Sequence, residues 1–471
     1  MTSRLNDAID GTIWLAQKYT DIKAIVSFGS TNRKNSDEHS DLDLFIFTTN
    51  SSYYINKQES KWLTDSFGKV LSRVIVEELM DRILFNRIIL ENHFSLDIIT
   101  VDIGEFGAAK YFLWLKKFGL SRVIPKRKYT AIDDKLYTFH YYLKRGYRIL
   151  YDQVNIDLLI KNIFDAYESE LFNDRNYLIN AVIFERNYQH FWQSCQKMNT
   201  ELESGNYFTA LNVHDHDIKK FLIQMVHWIT LISANNNELD VFYKGAKIND
   251  WCDQSLIQRL YKIFPHQDLT HMKDALYESI LIYQELSHTI ARIKGFKIDP
   301  DFEMEIIKSI RNEKVFYVEP KFLKYSDFSA IKGKELSFYK SNEFSDLFDN
   351  NYNQFWQYCY KMMAKLTRND FYYAIFILDN NIKKRLSEMI SWANDIKTFS
   401  GDHDLIEVAA IIATGIYPHS KVQEMKISVQ KTIKIYQNIS HHIARVLNLS
   451  INPELEQMVE TFIQQKMISL N

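Results

Sequence analysis

The sequence predicts an α+β protein, with a mixed β-sheet in the N-terminal part followed by two homologous helical bundles. Apolar runs of strand length, IKAIVSF, DLDLFIF, RILFNRIIL and FSLDIITVD, all lie before residue 103. Glycine and proline are scarce, at 13 and 6 of 471 residues, whereas Phe and Tyr number 31 and 28. That composition favours long helices over a turn-rich all-β fold. A long internal repeat occupies the helical part.

The N-terminal elements follow from the spacing of apolar residues. MTSRLNDAIDGTIWLAQKYT has the pattern of an amphipathic helix, and KWLTDSFGKVLSRVI also has helical spacing. RILFNRIIL and FSLDIITVD are predicted to be two strands joined by a short turn at ENH. From EFGAAKYFLWLKKFGL onward we expect helices, apart from a short extended segment, GYRILYD.

The repeat matches NYQHFWQSCQKM (187 to 198) with NYNQFWQYCYKM (351 to 362), and eight of these twelve residues are identical at an offset of 164. The same offset aligns DIKKFLIQMVHW with NIKKRLSEMISW, while IYQELSHTIAR returns as IYQNISHHIAR at an offset of 153. The match is too long and too well ordered for chance. We therefore predict an N-terminal domain over 1–150, a helical domain over 151–312, a connector over 313–349 and a second helical domain over 350–471.

Composition excludes several classes of protein. The formal net charge of -2 gives the chain no general bias toward polyanions such as nucleic acid. No run approaches the roughly 18 apolar residues of a membrane span, and the N-terminus lacks the apolar core of a signal peptide. The three cysteines, Cys195, Cys252 and Cys359, form neither a metal-type cluster nor an even disulfide framework. We therefore expect a cytoplasmic protein.

A Gly-Ser pair and two acids form the strongest candidate site. Gly29 and Ser30 follow one predicted strand, in a position where the backbone can approach a phosphate closely. Asp41 and Asp43 open the next strand and, because strand side chains alternate, point to the same side. Two adjacent carboxylates in that geometry can hold a divalent cation such as Mg²⁺.

A third carboxylate is expected on a neighbouring strand. Asp97 interrupts the apolar strand FSLDIITVD, with Leu96 and Ile98 on the opposite face. Asp102 is an alternative nearer the end of the same strand. Together, the Gly-Ser pair, the Asp-x-Asp pair and a later strand Asp predict a catalytic site rather than a solvated loop.

These motifs resemble those of the nucleotidyltransferase superfamily with the polymerase-beta-like fold. GS…DEHSDLDLFIF is most similar to bacterial antibiotic nucleotidyltransferases, namely the lincosamide type and the streptomycin-type aminoglycoside 6-adenylyltransferases. Ser287-His288 resembles a Ser-His pair of the lincosamide type, and His227-Trp228 with YKGAKINDW resembles segments of the 6-adenylyltransferases. The resemblance covers roughly residues 1–310. The loop STNRKNS and the second bundle depart from it.

The resemblance implies a role for each site residue. Gly29 and Ser30 would bind the nucleoside triphosphate, Asp41 and Asp43 would hold Mg²⁺, and Asp97 would be a metal ligand or the general base. The implied reaction transfers a nucleoside monophosphate, AMP from ATP, to a hydroxyl of a small molecule, with a lincosamide or aminoglycoside antibiotic as the leading acceptor. The resembling families end near residue 311, so a chain ending there is expected to fold.

Two other functions stay open at this point. A toxin-type nucleotidyltransferase would modify a protein or a tRNA, although the near-neutral charge disfavours tRNA. A partner-binding protein would use the duplicated bundle for docking and carry a vestigial catalytic head. The acceptor, the preferred nucleotide and the oligomeric state are left undecided by the sequence.

Three histidine-containing segments are candidate metal sites. His288 and His441 recur at matched places in the repeat, where a packing or capping role is expected because no other His or Cys lies at ligand spacing. HDHD (214 to 217) resembles a metal motif, but the second copy has ILDN at the matching place. We therefore predict no ligand site there.

Overall fold

The computed structural model describes residues 3–32, 41–56, 59–78, 83–92, 94–144, 146–167, 179–234, 245, 248–264, 269–311, 336–400 and 422–469. The chain divides into two compact units, Met1–Asp174 and Arg175–Asn471. The first holds a β-sheet with helices, and the described part of the second is helical. This confirms a mostly helical chain with an N-terminal mixed sheet.

The first unit contains a six-stranded sheet in the order β3-β4-β5-β2-β1-β6. Strands β2 and β5 pair in parallel, and the other neighbours pair antiparallel. The strands are β1 Ile22–Phe28, β2 Leu42–Thr48, β3 Val70–Glu78, β4 Ile83–Leu90, β5 Ser95–Asp102 and β6 Tyr147–Asp152. The helices are α1 Ser3–Lys18, α2 Ser51–Ile55, α3 Lys61–Phe67, α4 Gly104–Lys117, α5 Lys126–Leu143 and α6 Ile156–Tyr167.

Both faces of the central strands are buried, which explains why these strands read as continuous apolar runs. On β2, Leu42, Leu44 and Ile46 join the core formed with α1, α2 and α3. Phe45 and Phe47, on the other face, join the core formed with α4, α5 and α6. The sheet is therefore the middle of three layers, and Asp43 of β2 lies on the side of α4, α5 and α6 by strand alternation.

Two sequence expectations in this unit differ from the structure. The helical spacing of KWLTDSFGKVLSRVI holds only for α3, since Gly68 adopts a φ of +83° and the chain continues as β3. The first unit also extends to Asp174 rather than 150. Strand β6 pairs with β1 and helix α6 packs on the sheet, which ties both elements to the N-terminal unit.

The second unit consists of helices in its described part. Those before the connector are α7 Ala181–Glu203, α8 Tyr207–Val213, α9 Lys219–Ala234, α10 Ile248–Trp251, α11 Gln254–Leu260, α12 Leu269–Lys294 and α13 Pro300–Arg311. Those after it are α14 Leu336–Tyr339, α15 Asn342–Thr367, α16 Phe371–Ile377, α17 Lys383–Ser400, α18 Val422–Leu447 and α19 Pro453–Ser469. Two π-helical turns, His214–Ile218 and Leu378–Ile382, precede α9 and α17.

Only part of the expected connector over 313–349 falls within the description. Residues 312–335 lie outside it, and α15 begins at Asn342, eight residues before the expected second domain. The Ser341 side chain caps this helix by accepting a hydrogen bond from the Phe344 amide at 3.2 Å. Within the part of the chain that the structure describes, no helix is long and apolar enough to cross a membrane.

The helices on either side of the connector make matched contacts at the offsets seen in the sequence. Asn187 donates to Gln224 at 2.8 Å and accepts from Tyr283 at 2.7 Å. Asn351, 164 residues later, donates to Glu388 at 2.8 Å and accepts from Tyr436 at 2.7 Å.

A second matched set surrounds two buried glutamates. Glu303 accepts from Tyr188 at 2.6 Å and lies 2.9 Å from His288. Glu456 accepts from Tyr352 at 2.7 Å and lies 3.0 Å from His441. Each histidine therefore has a carboxylate partner, in accord with the packing role expected for both.

Candidate active site

The predicted acids meet where β2 and β5 begin. In the parallel pairing of these strands, Asp43 lies opposite Asp97. Neighbouring strands are about 4.8 Å apart, and residues in register project to the same face, so the two carboxylates are adjacent. Asp41 immediately precedes β2 and is half-buried. The register thus brings together Asp43 and Asp97, which are far apart in sequence.

The turn at Gly29 lies directly against Asp43. Phe28, the last residue of β1, is opposite Asp43 in the antiparallel pairing, and Gly29 follows with a φ of +79°. A Cβ atom at Gly29 would clash with Asp43 Oδ2. The left-handed conformation favours glycine, and a side chain here would displace the Asp43 carboxylate, so the Gly-Ser backbone and Asp43 share one small site.

Asn32 was not singled out from the sequence. Its Oδ1 accepts a hydrogen bond from Ser27 Oγ at 3.1 Å, while its Nδ2 is buried and has no partner among the described residues. A buried amide donor without a partner costs free energy, and this one lies at the end of the Gly-Ser turn. It is suited to an anionic ligand at that turn.

Arg87 is the second residue that sequence reasoning missed. It lies opposite Asp97 on β4, and its Nε and Nη2 atoms donate to Asp97 Oδ1 and Oδ2, both at 3.0 Å. Arg87 is 5% exposed and Asp97 is 4% exposed, so the ion pair is buried. The available signal was a cation in the interior of the apolar run RILFNRIIL, on the strand next to the acid.

Asp102, the alternative third acid, lies at the other end of β5, opposite Thr48. Five residues of strand separate it from Asp97, a distance of roughly 17 Å. Its Oδ1 accepts from the Gly104 amide at 2.7 Å at the start of α4, and its Oδ2 accepts from Ser51 Oγ at 3.4 Å. Asp102 caps this helix and does not join the other acids.

The expected metal site is only partly assembled. Among the described residues there is no group of three or more His, Cys, Asp or Glu side chains arranged to hold a metal ion. The loop over 33–40, which joins the Gly-Ser turn to Asp41, lies outside the description. The close approach of the Gly29 backbone to Asp43, with Asp97 alongside, still fits a phosphate-bound divalent cation.

A cavity of about 570 Å³ lies on the same face of the sheet. Its walls include Phe45 and Ile99, which are two residues beyond Asp43 and Asp97 on their strands, together with Phe106 of α4 and Phe139 of α5. This volume is within the range of about 300–1,000 Å³ for small-molecule sites. The cavity therefore begins one side-chain layer from the acids.

Charged residues line the other side of this cavity. Asp102, Glu105, Asp134 and Lys135 all contribute, and Lys135 pairs with Glu105 at 2.8 Å. The cavity thus combines apolar walls with an excess of negative charge.

Two protein-family models match different parts of this chain. The family model for Streptomycin adenylyltransferase matches residues 94–312 and 332–402, more than half of the chain. The chain belongs to the streptomycin adenylyltransferase family. A second model, Polymerase beta, Nucleotidyltransferase, matches residues 12–93, which include the Gly-Ser turn and the Asp-x-Asp pair. The adenylyltransferase match continues well past residue 310, where the resemblance was expected to end.

A solved structure is also similar to this chain. An aminoglycoside 6-adenyltransferase from Bacillus subtilis is 16% identical, with a TM-score of 0.28. The alignment covers 66% of this chain and 98% of that one. No curated protein matches the chain.

The Gly29 turn gives a test of the close approach to Asp43. Gly29→Ala should abolish nucleotide binding, because its Cβ would displace the Asp43 carboxylate. Gly119→Ala is the matched control, since Gly119 has a φ of +68° and open space around it. Calorimetric titration of ATP measures binding, and thermal unfolding checks that both variants fold. Equal ATP affinity in the two variants would show that ATP binding does not require the absence of a Cβ atom at position 29.

The buried ion pair gives a second test. Arg87→Met should lower the free energy of unfolding by about 3–5 kcal/mol, because Asp97 is left charged and buried without its cation. Arg87→Met with Asp97→Leu should recover most of this loss, since no buried charge remains. Lys161→Met, which breaks an exposed pair with Asp157, should change stability by less than about 1 kcal/mol. Urea unfolding measures all three. A mild effect of Arg87→Met alone would mean that water reaches the pair.

Proposed function

We propose that this chain transfers AMP from ATP to a hydroxyl of a small-molecule acceptor, using Mg²⁺ as a cofactor. Membership of an adenylyltransferase family supports a nucleotide co-substrate and an acceptor. The observation that carries the proposal is the position of Asp43, between the Gly29 backbone and Asp97 on the face that lines the cavity.

The Gly-Ser turn and its neighbours bind the triphosphate in this proposal. The Gly29 backbone permits close approach of a phosphate, Ser30 contributes a hydroxyl donor, and Asn32 Nδ2 is a further donor. Asp41 and Asp43 hold Mg²⁺, with Asp97 as a third ligand. When bound, the metal supplies positive charge that neutralises the α-phosphate and the leaving pyrophosphate.

Asp97 also serves as the general base for the attacking hydroxyl. A carboxylate has about four acceptor sites, and the Arg87 fork uses one on each oxygen. The fork fixes the orientation of the carboxylate, which a base needs in order to accept a proton in one direction. The sequence predicted only acidic neighbours, Asp41 and Asp43, for Asp97. The structure adds a buried cation, so Arg87 is a positioning residue in the proposal.

The cavity is the acceptor site in this proposal. Its rim carries three carboxylates and one ammonium group, which repel a triphosphate and attract a cation. Its aromatic walls cannot pair with the many hydroxyls of a highly polar sugar. An acceptor with one cationic group and an apolar portion fits best, which ranks a lincosamide above an aminoglycoside.

The reaction itself is the direct test. The protein is incubated with labelled ATP, GTP, CTP or UTP and a panel of lincosamides and aminoglycosides, and pyrophosphate release is measured. We expect release with ATP, Mg²⁺ and an amphipathic monocationic acceptor. Release with aminoglycosides alone would overturn the assignment of the acceptor, and no release with any pair would overturn the proposed reaction.

Removing the metal-holding acid should stop catalysis without unfolding the protein. Asp43→Asn should lower turnover by more than about 100-fold, because loss of outer-shell partners alone costs metal sites 10–100-fold. Its thermal midpoint should hold or rise, since one of several neighbouring negative charges is removed. Asp157→Asn, which changes an acid of an exposed ion pair on α6 outside the cavity lining, is the control and should keep near-normal turnover. Near-normal turnover of Asp43→Asn in Mg²⁺ would contradict the metal assignment.

Filling the cavity should affect the acceptor alone. Ala109 lines the cavity and is buried. Ala109→Phe should raise the acceptor KM by about tenfold or more, as expected for lost contacts worth a few methylene groups. The KM for ATP should stay within about twofold, since the nucleotide binds at the Gly-Ser turn. Ala131→Phe, exposed on α5, is the size-matched control. A rise in the KM for ATP instead would assign the cavity to the nucleotide.

A further inference from the structure

Four buried charged residues lie at matched positions of the second unit. Asp215 and Asp379 belong to the two π-helical turns, and Lys219 and Lys383 each open the helix that follows. Asp379 lies 164 positions after Asp215, and Lys383 lies 164 positions after Lys219. At this offset HDHD (214 to 217) aligns with LDNN (378 to 381). The match to ILDN (377 to 380) that was expected from the sequence is therefore one residue out of register. The first acid of HDHD is thus kept in both copies.

The two pairs cross-connect. Lys219 Nζ donates to Asp215 Oδ1 at 2.6 Å and to Asp379 Oδ2 at 2.8 Å. Lys383 Nζ donates to Asp379 Oδ1 at 2.6 Å and to Asp215 Oδ2 at 3.0 Å. Each ammonium group thus bridges both carboxylates, and each contact has a counterpart when the two copies are exchanged. Positive and negative charges alternate around a closed ring.

The ring is buried, and its charges depend on each other. Side-chain exposure is 9% for each lysine, 4% for Asp215 and 2% for Asp379. Burial by itself raises the pKa of Asp215, but the ammonium groups of Lys219 and Lys383 hold it well below its usual range. Burial lowers the pKa of Lys383, and the two carboxylates raise it above its ordinary value. For both Asp215 and Lys383 the partners in the ring therefore shift the pKa in the direction that favours the charged form.

A contact between equivalent residues marks an axis between the copies. His216 Nδ1 lies 3.1 Å from Asn380 Oδ1, and these residues are also 164 positions apart. In a two-fold symmetric interface, a residue on the axis meets its own equivalent, and off-axis contacts occur in reciprocal pairs. Both features are present here within one chain.

We propose that the helices after the connector are a built-in interaction partner for the helices before it. The surface around Asp215 and Lys219 fits a second copy of its own fold, and the duplicated half supplies that copy in the same chain. The arrangement is the intrachain equivalent of a homodimer interface. Its register is set by the four-charge ring, because displaced lysines and aspartates would be left buried without partners.

Charge exchange in the full-length chain tests this inference. Asp215→Lys with Lys219→Asp keeps an opposite-charge pair within the first copy. It places the new lysine against Lys383 and the new aspartate against Asp379 of the second copy. The matched variant, Asp379→Lys with Lys383→Asp, does the same from the other side. Each should lower the thermal midpoint by about 6–12 °C, from the cost of uncompensated buried charge in a unit of this size.

Combining all four substitutions restores opposite charges at every contact. The combined variant should regain a midpoint within about 3 °C of the parent, despite the reversed order of each i,i+4 pair. Lys384→Asp, an exposed change on the same helix, is the control and should leave the midpoint unchanged. If the combined variant is as unstable as either half-exchange, the reciprocal pairing is wrong. If neither half-exchange lowers the midpoint, the ring does not hold the two copies together.

Discussion

The parallel pairing of β2 with β5 is the constraint on which the candidate site depends. Parallel neighbours place equivalent ends of two strands side by side, and here those ends carry Asp43 and Asp97. The antiparallel pairings to either side then bring Phe28 with the Gly29 turn next to one acid and Arg87 next to the other. The Gly29 turn, two acids and a guanidinium therefore lie in one row across four strands.

The alternation of side chains along the strands determines which face of the sheet carries the candidate site. The acids, Phe45 and Ile99 project to one face, so the candidate catalytic groups and the apolar cavity share a side. The opposite face is filled by Leu42, Leu44 and their neighbours, which pack against α1, α2 and α3. Because the acids sit on the rim of a buried layer, any cation near them is poorly screened. The Arg87–Asp97 pair is therefore a strong electrostatic contact within the sheet.

Buried charge also organises the second unit, in a different way. In the first unit one arginine compensates one acid beside a site with further acids. In the second, two lysines and two aspartates compensate each other with no net charge. The first arrangement leaves an acidic site suited to a metal, whereas the closed ring has no remaining charge to offer a ligand. The HDHD segment, which resembles a metal motif, therefore fits an internal contact better.

The sequence by itself determined much of the protein. Apolar periodicity located the segments of five of the six strands. The positions of Gly29, Asp41, Asp43 and Asp97 predicted the candidate site, and the resemblance of these motifs to known proteins indicated the family. The strand patterns, the Gly-Ser pair and the Asp-x-Asp pair are local signals, because each lies within one strand or one turn. The repeat, too, is visible in the sequence, and its offsets recur in the matched Asn187 and Asn351 contacts.

Only the tertiary structure decided which charges meet. Arg87 and Asp97 are ten residues apart, and their contact depends on the register of β4 with β5. Asp102 looked equivalent to Asp97 in the strand, yet helix α4 begins beside it and takes it as a cap. Lys219 reaches Asp379 across 160 residues. Charge pairing acts over a few ångströms in space, so a single sequence without the packed chain cannot specify it.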